Sequence, residues 1–176
     1  MSSWQFALPA TVLLIALSGF FVMIEFALLG VQRHRLESSA KTSASSRAAL
    51  RSLNDLTLML AGAQLGITLC TFALGAVTKP WVHHMVLPLF EALSLPLALA
   101  DVLSFALALF IVTFLHLVVG EMAPKSWAIA HPEKAVRLIA IPARIFITLF
   151  RPLLVWVNHM ANRLVRMAGE EPVNRA

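Results

Sequence analysis

LSFALALFIVTFLHLVV, residues 103–119, runs without a break into GEMAPKSWAIAHPEKA, residues 120–135. The first stretch carries no charged side chain. As a helix, residues 102–121 rise about 30 Å, the thickness of a bilayer's hydrocarbon core. The run stops on Gly120 and a carboxylate, Glu121, with Pro124 and Lys125 one turn on. Two readings of that ending are open: an ion site, or a plain helix end at the headgroups.

Working outward, the whole chain has the composition of a membrane protein. Of its 176 residues 59% are hydrophobic and 13% charged, against about 25% charged in soluble domains. The mean hydropathy is +0.81. The single cysteine, Cys70, excludes an internal disulfide. The N-terminus, MSSWQFALPA, lacks the basic start of a signal peptide, so the first apolar run is expected to be a retained span. A net charge of +5 invites a nucleic-acid reading. Its distribution argues against one, because apart from Lys79 the basic residues fall in two blocks, 33–51 and 125–175. Such blocks flank spans under the positive-inside rule and meet lipid headgroups.

The expected architecture is an all-α membrane protein with three transmembrane helices, at about 6–31, 56–77 and 102–121. The polar stretch 32–55 suits an amphipathic helix on the membrane surface. The 78–101 connection, with Pro80, Pro88, Pro96, His83 and His84, reads as an external loop. Basic residues then place the N-terminus outside and the C-terminus in the cytoplasm. The fourth apolar stretch, 139–157, contains Pro142, Pro152, Arg144 and Arg151. An arginine at the bilayer centre costs at least ~2.5–3.5 kcal/mol, so a juxtamembrane helix is favoured over a fourth crossing. These elements make one domain over 1–165, and GEEPVNRA within 166–176 reads as the start of a linker.

Each span carries a narrow polar stripe. Ser18 and Glu25 share a face of the first, with Val22 between them. Gln64, Thr68 and Thr71 line the second, beside a GxxxG spacing at Gly62 and Gly66 that lets another helix approach. Thr113, His116 and Gly120 line the third, and Glu121 closes it. Lipid cannot satisfy such groups, so they face one another, a cavity or a partner chain. One reading is a hard-cation site built from Glu121, Glu25, the Gly120 carbonyl and oxygens of Gln64, Thr68 and Ser18. Magnesium takes oxygen ligands and keeps several waters, so one or two carboxylates suffice. The other reading makes the stripes interhelical glue, with Glu25 paired to Arg33 or Lys125. His116 is expected to be a packed, hydrogen-bonded residue rather than a ligand, and His83–His84 a solvated pair. No P-loop, CxxC, HExxH or Ser-His-Asp arrangement is present, so no enzyme is expected.

SGFFVMIEFALLGVQRHRLE (18–37), AGAQLGITL (61–69) and GEMAPKSWAIAHPEKA (120–135) together resemble the CNNM/CorC transmembrane domain of the hemolysin-like proteins. The match in order and spacing covers nearly the whole chain. The resemblance implies three spans, a juxtamembrane helix, and a dimer with itself or a paralogue. It also implies cytoplasmic CBS domains in the full-length protein and location in the bacterial inner membrane. The activity implied is export of magnesium, sometimes cobalt, coupled to sodium, from a pocket among the spans. The sequence departs from the family pattern where serines follow GFF, having Val22 and Ile24, and at Ile67, where one branch carries asparagine. Two functions therefore compete: a divalent-cation transporter, and a non-transporting scaffold or regulatory subunit that has lost serine ligands.

Overall fold

The computed structural model describes residues 3–170, and all regular structure among them is helical. The order is α1 (Ser3–Gly30), α2 (Arg33–Ala40), α3 (Ala44–Asn54), α4 (Leu56–Ala92), α5 (Leu97–Leu115), a π-helical segment (His116–Met122), α6 (Ala123–Ala130) and α7 (Pro132–Met167). Four rods are long and apolar enough to cross a membrane: Trp4–Gly30, Leu56–Ala92, Leu97–Ala130 and Pro132–Met167. The chain is thus an all-helical, multi-pass type of membrane protein.

The rods overrun the expected boundaries. α4 continues through Lys79, Pro80 and Pro88 to Ala92, where a loop was expected from residue 78. Proline's fixed φ suits a helix, and its cost is one lost hydrogen bond and a clash with the carbonyl four residues back. Tertiary hydrogen bonding next to Pro80 opposes that cost, because Thr78 is buried and bonded to α1. α7 likewise passes through Pro142 and Pro152 as one 36-residue helix, not a short 139–157 segment. The polar stretch 32–55 forms two helices rather than one. The first ends at Ala40, and Ser43 caps the second, its Oγ accepting from the Ser46 N–H at 3.3 Å. Of the expected linker start, Arg166 and Met167 are still helical, and 171–176 lie outside the described residues.

The chain forms two compact units, one from residues up to Gly19 with Gly66–Pro124, the other from Phe20–Leu65 with Lys125 onward. In the first, α5 and the π segment present one buried row: Ala100, Ser104, Ala108, Val112, His116 and Gly120. Every step in that row is four residues. A row at that spacing slides round a 3.6-residue α-helix. The π segment, with its wider turn, resets the slide at its lower end. The hydroxyls are satisfied locally. Ser104 Oγ donates to the Ala100 carbonyl at 2.6 Å. Thr11 Oγ1 donates to the Ala7 carbonyl at 2.7 Å, which leaves Thr78 to donate to Thr11 across 2.6 Å. Farther along α4, His83 Nε2 stands 3.1 Å from Asp101 Oδ1, within ion-pair range though not in hydrogen-bond alignment.

In the second unit α3 packs on both α2 and α7. α7 buries Ala135, Val136, Ile139, Ala140, Ala143, Ile147 and Leu154. Arg144 is half-buried and its guanidinium donates to Asp55 Oδ2 at 2.6 Å. Removing one partner of a buried pair costs about 3–5 kcal/mol. Here the two side chains keep 22% and 29% of their exposure, so Asp55→Ala is expected to cost about 2 kcal/mol after solvent screening. A thermal melt measures it, and Arg144→Leu in the same chain should restore part of the loss. A double variant no more stable than Asp55→Ala would show that the charge pair is not the cause.

Candidate ion-coordinating site

The feature that assembles the site is the π segment. Residues five apart lie on opposite sides of an α-helix, but i→i+5 hydrogen bonding stacks them. His116 and Glu121 are five apart, and the wide turn brings His116 Nε2 within 3.8 Å of Glu121 Oε1. The same nitrogen lies 2.8 Å from Ser18 Oγ on α1. Ser18 is fully buried and His116 nearly so, while Glu121 remains about one-third exposed. The carboxylate therefore reaches the open side of a cluster whose other members are enclosed.

Chemistry follows from which nitrogen of His116 holds its proton. With the proton on Nδ1, Nε2 accepts from the Ser18 hydroxyl, and both serine lone pairs stay free for a cation. With the proton on Nε2, the ring donates to Ser18 beside the Glu121 carboxylate. In either tautomer the imidazole fixes the serine oxygen in place.

Glycine is required at two points. A Cβ on Gly120 would stand 2.7 Å from His116 Cδ2, and the ring cannot retreat without leaving Ser18. A Cβ on Gly19 would stand 3.0 Å from Pro124 Cγ and 3.8 Å from the Gly120 carbonyl oxygen. Backbone thus approaches backbone beside that carbonyl. Gly120→Ala is expected to cost about 1–3 kcal/mol of overpacking and to break the Ser18–His116 hydrogen bond. An imidazole NMR resonance that keeps its hydrogen-bonded shift in the variant would refute this.

Of the six residues proposed from the sequence, Ser18, Gly120 and Glu121 are gathered around His116. Thr68 belongs to the same unit but has an exposed side chain on α4. Glu25 and Gln64 belong to the other unit. There Arg33 pairs with Glu37 at 3.0 Å, and Lys125 Nζ sits 4.6 Å over the Phe26 ring. Neither neutralises Glu25, which is half-buried and enters no ion pair among the described residues. His116 is packed and hydrogen-bonded, as expected. Sequence reasoning missed Gly19 and Pro124. The signal was a glycine directly after Ser18, paired with the proline of GEMAPK.

Val22 and Ile24, where the family resemblance led us to expect serines, are 2% and 0% exposed. They are packed apolar residues. Among the described residues no three His, Cys, Asp or Glu side chains converge as a metal cluster. What the first unit offers a cation is one carboxylate, one hydroxyl and a nearby carbonyl. That set fits a hard, partly hydrated ion rather than a soft or tightly caged one.

The chain is similar to several bacterial proteins. It is 42% identical over 163 residues to UPF0053 protein YhdT of Bacillus subtilis, covering 92% of this chain and 35% of the relative. It is 36% identical over 162 residues to UPF0053 protein YhdP of the same organism, with 92% and 36% covered. It is 30% identical over 169 residues to UPF0053 protein sll0260 of Synechocystis, with 96% and 38% covered. The chain thus spans somewhat over a third of the length of these curated relatives. The family model described as the cyclin M transmembrane N-terminal domain matches residues 9–176. The chain therefore belongs to the CNNM transmembrane family, as its GFF, QLGIT and GEMAPK motifs led us to expect.

Proposed function

We propose that the chain moves divalent cations across a membrane, magnesium or cobalt, in exchange for sodium, and that Glu121 with Gly120 and Ser18 forms the core of its ion site. The observation that carries the reading is the half-open carboxylate of Glu121, held by a π turn beside a fixed serine oxygen. Acids within membrane spans are costly and mark ion pathways. Magnesium is the better cargo candidate because it accepts few protein oxygens and keeps its waters. Glu25, half-buried and in no ion pair among the described residues, is a further membrane-embedded acid within its own unit, and Gln64 and Thr68 are polar groups of α4. The test is magnesium efflux from proteoliposomes holding a fluorescent indicator, with and without an opposing sodium gradient. Glu121→Ala should stop the flux, and Glu25→Gln should slow it. Flux unchanged in Glu121→Ala removes the assignment.

A second reading is favoured by Val22 and Ile24. With methyls packed where the family pattern has hydroxyls, the chain is a scaffold or regulatory subunit that pairs with itself or a paralogue. The partner then covers the exposed Gln64–Thr68–Thr71 side of α4. On this reading Gly66→Leu breaks co-purification of tagged and untagged chains, while Glu121→Ala leaves every measured property unchanged.

A further inference from the structure

Within the second unit, α3 and the middle of α7 border an open groove of about 530 Å³ that the transport reading does not use. Its volume lies in the range of small-molecule sites, about 300–1,000 Å³. One wall is apolar. Ile141, Ile145 and Leu149 follow one another at four-residue steps along α7, and they are 48%, 65% and 71% exposed. Thr148 adds a hydroxyl and Arg51 of α3 a guanidinium. The other arginine of the groove, Arg144, has its charge met by Asp55 at 2.6 Å. Arg51 is exposed and enters no ion pair among the described residues. The groove thus presents an apolar strip about 12 Å long, room for the upper part of an acyl chain, with one positive charge that no ion pair among the described residues meets.

We infer that this groove holds one anionic phospholipid, its acyl chain along Ile141, Ile145 and Leu149 and its phosphate on Arg51. Guanidinium matches phosphate oxygens with two parallel hydrogen bonds, which an ammonium cannot do. An amphiphile is the occupant whose two ends fit the two walls, and a chain with four membrane-length rods is surrounded by amphiphiles. A second copy fits less well. A two-fold axis sets the same patch against itself and brings no acid to Arg51. A lipid fixed here would tie α3 to α7.

Native mass spectrometry tests this on the full chain released from nanodiscs. The discs hold equal phosphatidylglycerol and phosphatidylcholine with identical acyl chains. The wild-type chain is expected to retain one phosphatidylglycerol about fivefold over phosphatidylcholine, the worth of one arginine at an anionic headgroup. Arg51→Ala should lose the preference and Arg51→Lys keep part of it. Ile145→Trp, which fills the groove from its apolar side, should lose the retained lipid whatever its headgroup. Arg166→Ala, basic but outside the groove, should change nothing. Equal retention of both lipids by the wild type, or an unchanged preference in Arg51→Ala, overturns the inference. So does an Ile145→Trp chain that loses self-association yet keeps its lipid, since the groove would then be an interface between copies.

Discussion

Glu121→Ala is expected to abolish the stabilisation of the chain by magnesium. If Glu121 anchors the ion, magnesium at a hundredfold excess over its Kd adds about 2.7 kcal/mol to the folded state. For a chain of this size that raises the melting temperature by roughly 5–10 °C. In Glu121→Ala the rise should fall to zero while the melt without magnesium stays near that of the wild type, because the carboxylate is one-third exposed and only 3.8 Å from a ring nitrogen at its nearest. Glu121→Gln sharpens the result. It keeps the side chain's size and one acceptor oxygen but removes the charge, so it should behave like alanine if charge holds the ion. Ser18→Ala should weaken the response less, since a neutral hydroxyl contributes less to a divalent ion than a carboxylate does. A wild-type melt that ignores magnesium, with self-association intact, would instead favour the scaffold reading.

The helices were legible because apolar length is a strong signal, and the failures came where tertiary contacts overrode local ones. Gly120 and Glu121 looked like a helix end. In the structure the helix continues to Ala130, and the glycine is there to clear the His116 ring. Nothing in the residue pattern announces a π turn. It follows from the fit of His116 to Ser18, residues 98 positions apart. The prolines at 80, 88, 142 and 152 misled in the same way, since each costs a hydrogen bond that packing along a long rod can offset. Arg144 is the most instructive case. It argued against a fourth crossing because its charge was counted as bare, yet Asp55 meets it at 2.6 Å. The lipid penalty then applies to Arg151, which is exposed and enters no ion pair among the described residues. Within the site, the residue types were readable and their grouping only partly so. Ser18, Gly120 and Glu121 converge, whereas pattern alone could not separate Glu25 and Gln64 into the other unit.

Gly62→Leu is expected to be the most destabilising single change in the second unit. The GxxxG spacing of α4 suggested contact between copies. Yet a Cβ on Gly62 would overlap Ile147 Cδ1 and approach Leu154 Cδ1 at 3.2 Å, and both residues belong to the buried face of α7. The small residue thus serves close packing inside the chain. Alanine displaces only the mobile tip of Ile147, for about 1 kcal/mol, at the low end of overpacking costs. Leucine brings three more carbons into a space already filled by Ile147 and Leu154. The cost should reach or exceed the upper end of the ~1–3 kcal/mol range, a large share of the ~5–15 kcal/mol that holds a typical domain together. A denaturant melt reads the loss directly. Gly62→Leu combined with Ile147→Ala should recover part of it, because the second change empties the space the first one invades, and coupling between touching residues runs to about 0.5–3 kcal/mol. If Gly62→Leu melts like the wild type but fails to self-associate, the motif joins copies and α7 is not held against this stretch of α4. If it melts early and the double variant recovers, the glycine sets the distance at which α4 and α7 pack.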